Sequence, residues 1–219
     1  MDSGPFPYHG NALPTELIQQ TGKNTLFILI FQYLLYNSPM KIVETTLVII
    51  KNKTIERGLV GEIIKKFEDV GLKIVAMRME KPSKKIALEH YIENKGWNER
   101  VGKKAIAAFR TTSEAIKNLG TDNPKKVGKA IYDWSVDQLK GKEVIIMALR
   151  GVNAVNKVLA ITGSSNPSEA DLSTIRGQFS SDSFISSNLE KRALYNVVHR
   201  SGSAKEAKYE LKVWFKGLK

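Results

Sequence analysis

Apolar residues along this chain follow two habits, short unbroken runs and runs spaced by three and four. Residues 46–50 (Thr-Leu-Val-Ile-Ile) are a continuous apolar run ended abruptly by Lys51, the pattern of a strand buried on both faces. Beyond Gly58, residues Val60, Ile63, Ile64 and Phe67 fall at helical spacing, and Gly71 suits that helix's C-terminus. Residues 73–79 (KIVAMRM) read as a second strand, and Pro82-Ser83 opens a helix through Tyr91 with Ser83 as its cap. Residues 96–139 read as mostly helical and basic, broken at Asn123-Pro124, with Val127, Ile131 and Trp134 as one apolar stripe beyond the break. Residues 143–149 (EVIIMAL) are a third strand, and 153–161 a helix stopped by Gly163. A long polar loop over 164–187 contains Thr174-Ile175-Arg176-Gly177, and 188–194 read as a short helix. Val197-Val198 then lead into His199, and Ser203 with Glu206 three residues on forms a capping box that starts a final helix to Phe215.

With the helical stretch set aside, the order is strand–helix–strand, strand–helix–strand, then a closing helix. That order predicts an α+β chain: a ferredoxin-like βαββαβ sandwich with an antiparallel sheet and helices on one face, a helical insertion over about 96–140 and a closing C-terminal helix. The first forty residues read differently. Residues 25–36 (TLFILIFQYLLY) are strongly apolar but too short to cross a bilayer as a helix. Pro5, Pro7, Pro14 and Lys23 precede them, and no small-residue cleavage pattern follows. Residues 1–40 are therefore read as an N-terminal extension outside the core, with Met40 a candidate translation start and the folded domain over 41–219. A membrane or partner anchor is the alternative for the apolar stretch.

Composition narrows the chemistry. At 219 residues, 42% hydrophobic and 26% charged, the chain has the make-up of a soluble globular protein. The absence of cysteine excludes disulfides, thiolate chemistry and cysteine-based zinc sites. The three histidines, His9, His90 and His199, are too scattered for a histidine-rich metal site. A net charge of +12 points to anionic partners such as nucleotides, nucleic acid or acidic membrane. The lysines are spread along the chain, so a generally solvated basic surface is the competing explanation.

His199 is the residue with the most to say. The pattern places it at the end of a buried strand beside a helix N-terminus, where unpaired backbone N–H groups attract anions. Imidazole is also the side chain best suited to act as nucleophile or base near neutral pH. Local features leave two readings open: a strand-end histidine satisfied by a backbone carbonyl, and a nucleophile.

Five segments bear on that choice: Thr46-Leu-Val-Ile-Ile-Lys51, Arg57-Gly-Leu-Val-Gly-Glu-Ile-Ile, Glu89-His-Tyr91, Thr174-Ile-Arg-Gly177 and Asn196-Val-Val-His199. They occur in the order found in nucleoside diphosphate kinases, and from 44 to about 215 the chain resembles that family. The helical insertion and the extra residues between 179 and 196 resemble those of archaeal members. The resemblance implies transfer of the terminal phosphoryl of a nucleoside triphosphate to a nucleoside diphosphate through a phosphohistidine at His199. It implies that Glu210 orients that imidazole, that Tyr91 lies beside it, and that Lys51 meets phosphate and ribose. It also implies that Arg176 grips the phosphates and that Asn196 meets the ribose hydroxyls. Ser165 stands where the family has a phosphate-touching threonine, and Trp97 is a candidate to stack on the base. Magnesium would arrive with the nucleotide rather than in a dedicated carboxylate cage. The resemblance implies a cytoplasmic homo-oligomer, a hexamer or a tetramer, with the archaeal likeness leaning to the homohexamer.

The departures are specific. Asn52-Lys53 follow Lys51 where the family continues Pro-Asp, and Leu159 occupies the position of a phosphate-binding arginine. Lys157 is the nearest cation but points to another face of the helix. After His199 the chain reads Arg200-Ser-Gly-Ser, lacking a customary aspartate and adding a cation near the phosphoryl site. These departures motivate a second reading, a nucleotide- or nucleic-acid-binding module on the same fold with weak or no kinase activity.

Overall fold

Strand β1 (Val43–Ile50) is the axis of the fold, with Leu47, Val48, Ile49 and Ile50 all fully buried. Alternate strand residues face opposite ways, so an unbroken apolar run needs cover on both sides. Val48 and Ile50 join one apolar cluster, and Leu47 and Ile49 join another. Helices therefore lie on both faces of the sheet, which corrects the one-sided arrangement expected from the pattern. A computed structural model describes residues 43–92 and 96–217; the expectations for residues 1–40 lie outside the described residues.

The element order builds the expected βαββαβ core. After β1 come α1 (Asn52–Glu56), α2 (Val60–Glu68), β2 (Lys73–Glu80) and α3 (Lys84–Ile92). The insertion follows as α4 (Trp97–Ala107), α5 (Thr112–Leu119) and α6 (Pro124–Leu139). Then come β3 (Val144–Val152), α7 (Ala154–Thr162), a 3-10 turn (Pro167–Glu169), α8 (Ile175–Phe179), α9 (Phe184–Leu189), β4 (Val198–Arg200) and α10 (Ala204–Trp214). The sheet order is β2-β3-β1-β4, and every neighbouring pair is antiparallel. Ile63 and Phe67 of α2, Ala154 and Val158 of α7 and Ile175 of α8 fill one cluster. Ala87 of α3, Val136 and Leu139 of α6 and Trp214 of α10 fill the other.

Several local details differ from the sequence reading. Helix α1 starts straight after Lys51, a turn too short to leave a periodic signal. The stretch 164–187 is not a plain loop, because Thr174 caps Gly177 N–H to start α8 and Ser183 caps Ser186 N–H to start α9. The short helix expected over 188–194 is absent. Helix α9 ends at Leu189, and the chain turns through Lys191 at φ 51°. In α6 the buried apolar residues are Val127, Val136 and Leu139, whereas Ile131 and Trp134 are only partly buried.

The break at Asn123-Pro124 is a helix start. The Asn123 side chain accepts from Lys125 and Lys126 N–H, with proline in the first turn. Helices α4 and α6 then pack backbone to backbone at two glycines. A Cβ on Gly102 would lie 1.8 Å from the Pro124 carbonyl oxygen, and one on Gly128 would lie 1.8 Å from that of Asn98. Glycine-to-alanine in a helix interior ordinarily gains about 1 kcal/mol. Here overpacking against backbone reverses the sign. Gly102→Ala and Gly128→Ala are each expected to cost about 1–3 kcal/mol, read as a lower urea midpoint at unchanged slope.

Candidate active site

The site forms where β4 ends. The strand is short because the chain reaches it through a tight turn: Val198 N–H donates to the Asn196 carbonyl at 2.7 Å, and Val197 between them has φ 67°. A β-branched side chain rarely adopts that conformation, at a cost of order 1–3 kcal/mol. Its carbonyl is held by Lys51 N–H at 3.1 Å and the Thr54 hydroxyl at 2.7 Å, so α1 and the end of β1 fix the turn. His199 then pairs across from Ile49 of β1 and projects toward α3 and α10. Past the strand, the Ser203 hydroxyl accepts Glu206 N–H as expected of the cap, while the Glu206 carboxylate accepts Gly202 N–H, one residue before the Ser203 N–H of a capping box.

Helix α10 returns Glu210 to the imidazole. His199 Nε2 lies 2.9 Å from Glu210 Oε1, and the Ser201 hydroxyl donates to Oε2 at 2.5 Å. When Nε2 donates to the ionised carboxylate, the imidazole's lone pair sits on Nδ1. Burial raises the Glu210 carboxyl above its usual range, an effect countered by His90, Ser201 and Arg200. Burial, and then the cations Lys51, Arg176 and Arg200, hold the His199 imidazole well below its ordinary value. It is therefore neutral and nucleophilic near pH 7.

His90 backs this pair. Its ring stands edge-on to His199 with centroids 4.3 Å apart, and Trp214 Nε1–H donates to its Nδ1 at 3.1 Å. Fully enclosed, it is kept neutral chiefly by burial. Sequence reasoning missed both His90 and Ser201, although His90 adjoins Tyr91 and Ser201 lies two residues after His199. Their signal was position inside the Glu-His-Tyr and His-Arg-Ser segments.

One cavity of about 510 Å³ gathers Lys51, Tyr91, Trp97, Ser165, Arg176, Asn196, His199 and Glu210. Leu159 is not among its lining residues. Lys51 Nζ donates to Asn196 Oδ1 at 2.7 Å and to the Leu194 carbonyl at 3.3 Å, while Asn196 Nδ2 donates to the Ser165 carbonyl. Burial first, and then Arg176, push the Lys51 ammonium down to about 7. Arg176 is 4% exposed and donates to the carbonyls of Asn196, Gly163, Ser164 and Val198. Gly163 allows that grip, since its φ of +82° and its closeness to the Thr174 side chain leave no room for a Cβ. Tyr91, Trp97 and Tyr132 form an aromatic triangle with centroids 5.9, 6.0 and 6.2 Å apart. Trp97 reaches the cavity from the insertion, and Tyr91 from α3. Lys157 does not replace the absent arginine at 159, because its Nζ donates to the Val70 carbonyl at 2.8 Å.

Among the described residues, His90, His199 and Glu210 are close enough to share a metal ion. Both carboxylate oxygens are already taken by His199 and Ser201, so the group does not offer the oxygen set that magnesium takes. No helix of the described residues is long and apolar enough to cross a membrane.

Known proteins resemble this chain in sequence and fold. The nucleoside diphosphate kinase family model matches residues 44–100 and 103–219. The nucleoside diphosphate kinase of Pyrobaculum aerophilum is 38% identical over 175 residues, covering 80% of this chain and 96% of that protein. That of Pyrococcus furiosus is 33% identical over 177 residues, covering 81% and 86%. Among solved structures, an NDP kinase from Pyrobaculum aerophilum superposes with a TM-score of 0.75 at 36% identity, covering 80% of this chain and 97% of its own. The enzyme of Borrelia burgdorferi, solved as a transition-state mimic with vanadate and ADP, superposes at 0.63 with 27% identity, covering 80% and 88%. A βαββαβ sheet, a carboxylate-held histidine at the end of its outer strand and a match spanning most of the sequence agree: the chain belongs to the nucleoside diphosphate kinase family.

Proposed function

We propose that this chain performs its family's reaction, from nucleoside triphosphate to nucleoside diphosphate, through a phosphohistidine at His199. The observation that carries the assignment is the hydrogen bond between His199 Nε2 and Glu210 Oε1, which leaves Nδ1 as the nucleophilic nitrogen facing the cavity. In the first half-reaction Nδ1 attacks the terminal phosphorus. The P–N bond forms as the bond to the bridging oxygen breaks, and the diphosphate leaves with that electron pair. In the second, the terminal oxygen of another diphosphate attacks the same phosphorus and the P–N bond breaks, returning the neutral imidazole. Glu210 offsets the positive charge that develops on the ring, and Ser201 holds the carboxylate in place.

Lys51, Arg176 and Ser165 are assigned to the phosphates, Asn196 to the ribose, Tyr91 to the wall beside His199, and Trp97 to the base. Stacking on an aromatic face reads no base edge, so tolerance of all bases is expected. Magnesium is proposed to enter on the nucleotide's phosphates. The domain is assigned to 41–219, with the insertion over about 96–140. A cytoplasmic homohexamer is proposed from the archaeal resemblance. The outer strand β2, on which Val75, Met77 and Met79 stay exposed, supports contact with further copies. The binding-module alternative is not favoured, because binding alone has no use for a carboxylate aimed at the imidazole.

Incubation with γ-labelled ATP tests the assignment. The expected result is an acid-labile, base-stable label that disappears when a diphosphate is added; absence of label overturns it. A second expectation follows from Lys51. Above about pH 7 its amine is neutral in the free protein, and a bound polyphosphate favours the charged form. Nucleotide binding should therefore take up close to one proton between about pH 8 and 9. Calorimetry in buffers of different ionisation enthalpy reads this directly, and Lys51→Arg should abolish the uptake.

A further inference from the structure

The cations set into the cavity have few donors left for phosphate, while Arg100, Lys104 and Lys205 line it as exposed side chains. Arg176 has five N–H donors, and four are already spent on the backbone carbonyls of Asn196, Gly163, Ser164 and Val198. Lys51 is tied to Asn196 and Leu194. Leu159 contributes no charge, and Lys157 is anchored on Val70 away from the cavity. Arg200 stands immediately after the nucleophile and lines the same cavity. Among the described residues its Nε is buried without a hydrogen-bond partner, an arrangement that costs free energy unless an acceptor is supplied from elsewhere.

Its position in the strand matches the gap. Arg200 pairs opposite Val48, and alternation puts it on the face of Val198. Val48 and Val198 belong to the cluster that contains Ala154 and Val158 of α7, the helix that also carries Leu159. The guanidinium thus rises from the sheet face that α7 covers, close enough to Arg176 to depress it electrostatically. Burial lowers the pKa of Arg200, and the charges of Glu206 and Glu210 oppose that. We infer that Arg200 is a substrate-contacting residue of this kinase, donating to the oxygens of the nucleotide's polyphosphate in place of the arginine that Leu159 replaces. The inference rests on the reading of His199 as the phosphate acceptor. A planar fork beside the transferring group offsets charge that grows in the transition state.

Rapid-quench labelling by γ-labelled ATP with magnesium tests it in the full chain, using Arg200→Gln, Leu159→Arg and the double variant. Arg200→Gln is expected to lower the second-order labelling constant about 10- to 100-fold, with the far-ultraviolet spectrum and melting point of the wild type. The double variant is expected to regain most of that loss. Labelling of Arg200→Gln at the wild-type constant overturns the inference. So does a loss that Leu159→Arg fails to rescue, since a structural defect at 200 has no reason to respond to a cation on α7. Should the wild type take no label, the His199 reading fails, and equilibrium binding of ADP still decides Arg200: an affinity equal in wild type and Arg200→Gln refutes it.

Discussion

His199→Ala is expected to reduce phosphoryl transfer by at least ~10⁴-fold and to remove the acid-labile label, while ADP affinity changes by less than about threefold. The argument is geometric. Among the described residues lining the cavity, His199 is the group whose free nitrogen faces the space left by Lys51, Arg176 and Asn196. His90 cannot stand in, because it is enclosed and its Nδ1 is occupied by Trp214 Nε1–H. The alanine variant leaves Lys51, Asn196 and Arg176 in their own bonds, so binding survives while chemistry does not. Glu210→Gln separates nucleophile from orienting group. Its amide carries no charge to offset the positive charge developing on the ring, so label should form slowly rather than not at all. Stopped-flow mixing with labelled ATP distinguishes the two variants in one experiment, and equal residual labelling in both would refute the division of roles.

Much of this arrangement was legible before any coordinates, for physical reasons that differ from residue to residue. The run ending in Lys51 announced a strand buried on both faces, and Leu47 to Ile50 are fully buried. The Ser203–Glu206 spacing announced a helix start, and the hydrogen bonds are there. Local periodicity and capping carry such signals because they depend on neighbours in sequence. What it hid depends on neighbours in space. The left-handed Val197 is held by Lys51 N–H and the Thr54 hydroxyl, which lie far from it in sequence, and no feature of a Val-Val pair predicts it. Ser201 and His90 matter only because α10 and α3 meet behind β4. The second covered face of the sheet follows from the insertion and the closing helix, which periodicity locates but does not dock. The resemblance assigns the Arg176 fork to the phosphates, yet that fork is largely occupied by the protein itself.

That occupancy sets the largest expected effect on stability. Arg176→Ala withdraws donors from the carbonyls of Gly163, Ser164, Asn196 and Val198 at once. A buried carbonyl left without a partner costs about 1–3 kcal/mol. Water entering from the adjoining cavity relieves part of that, so the lower end applies, near ~4 kcal/mol for the set. For a chain of this size, about 2–4 °C per kcal/mol then predicts a fall in melting temperature of roughly 8–16 °C. Arg176→Lys should recover part of it, since an ammonium keeps the charge and three donors but cannot span the turn at Gly163 and the strand at Val198 together. The loss should also appear as faster amide exchange at residues paired across β4, Ile49 and Val198 among them, because the guanidinium ties the end of α7 to that strand. A melting point within about 2 °C of wild type in Arg176→Ala, with intact binding of ADP, would mean that the four carbonyls find other donors and that Arg176 serves neither fold nor phosphate.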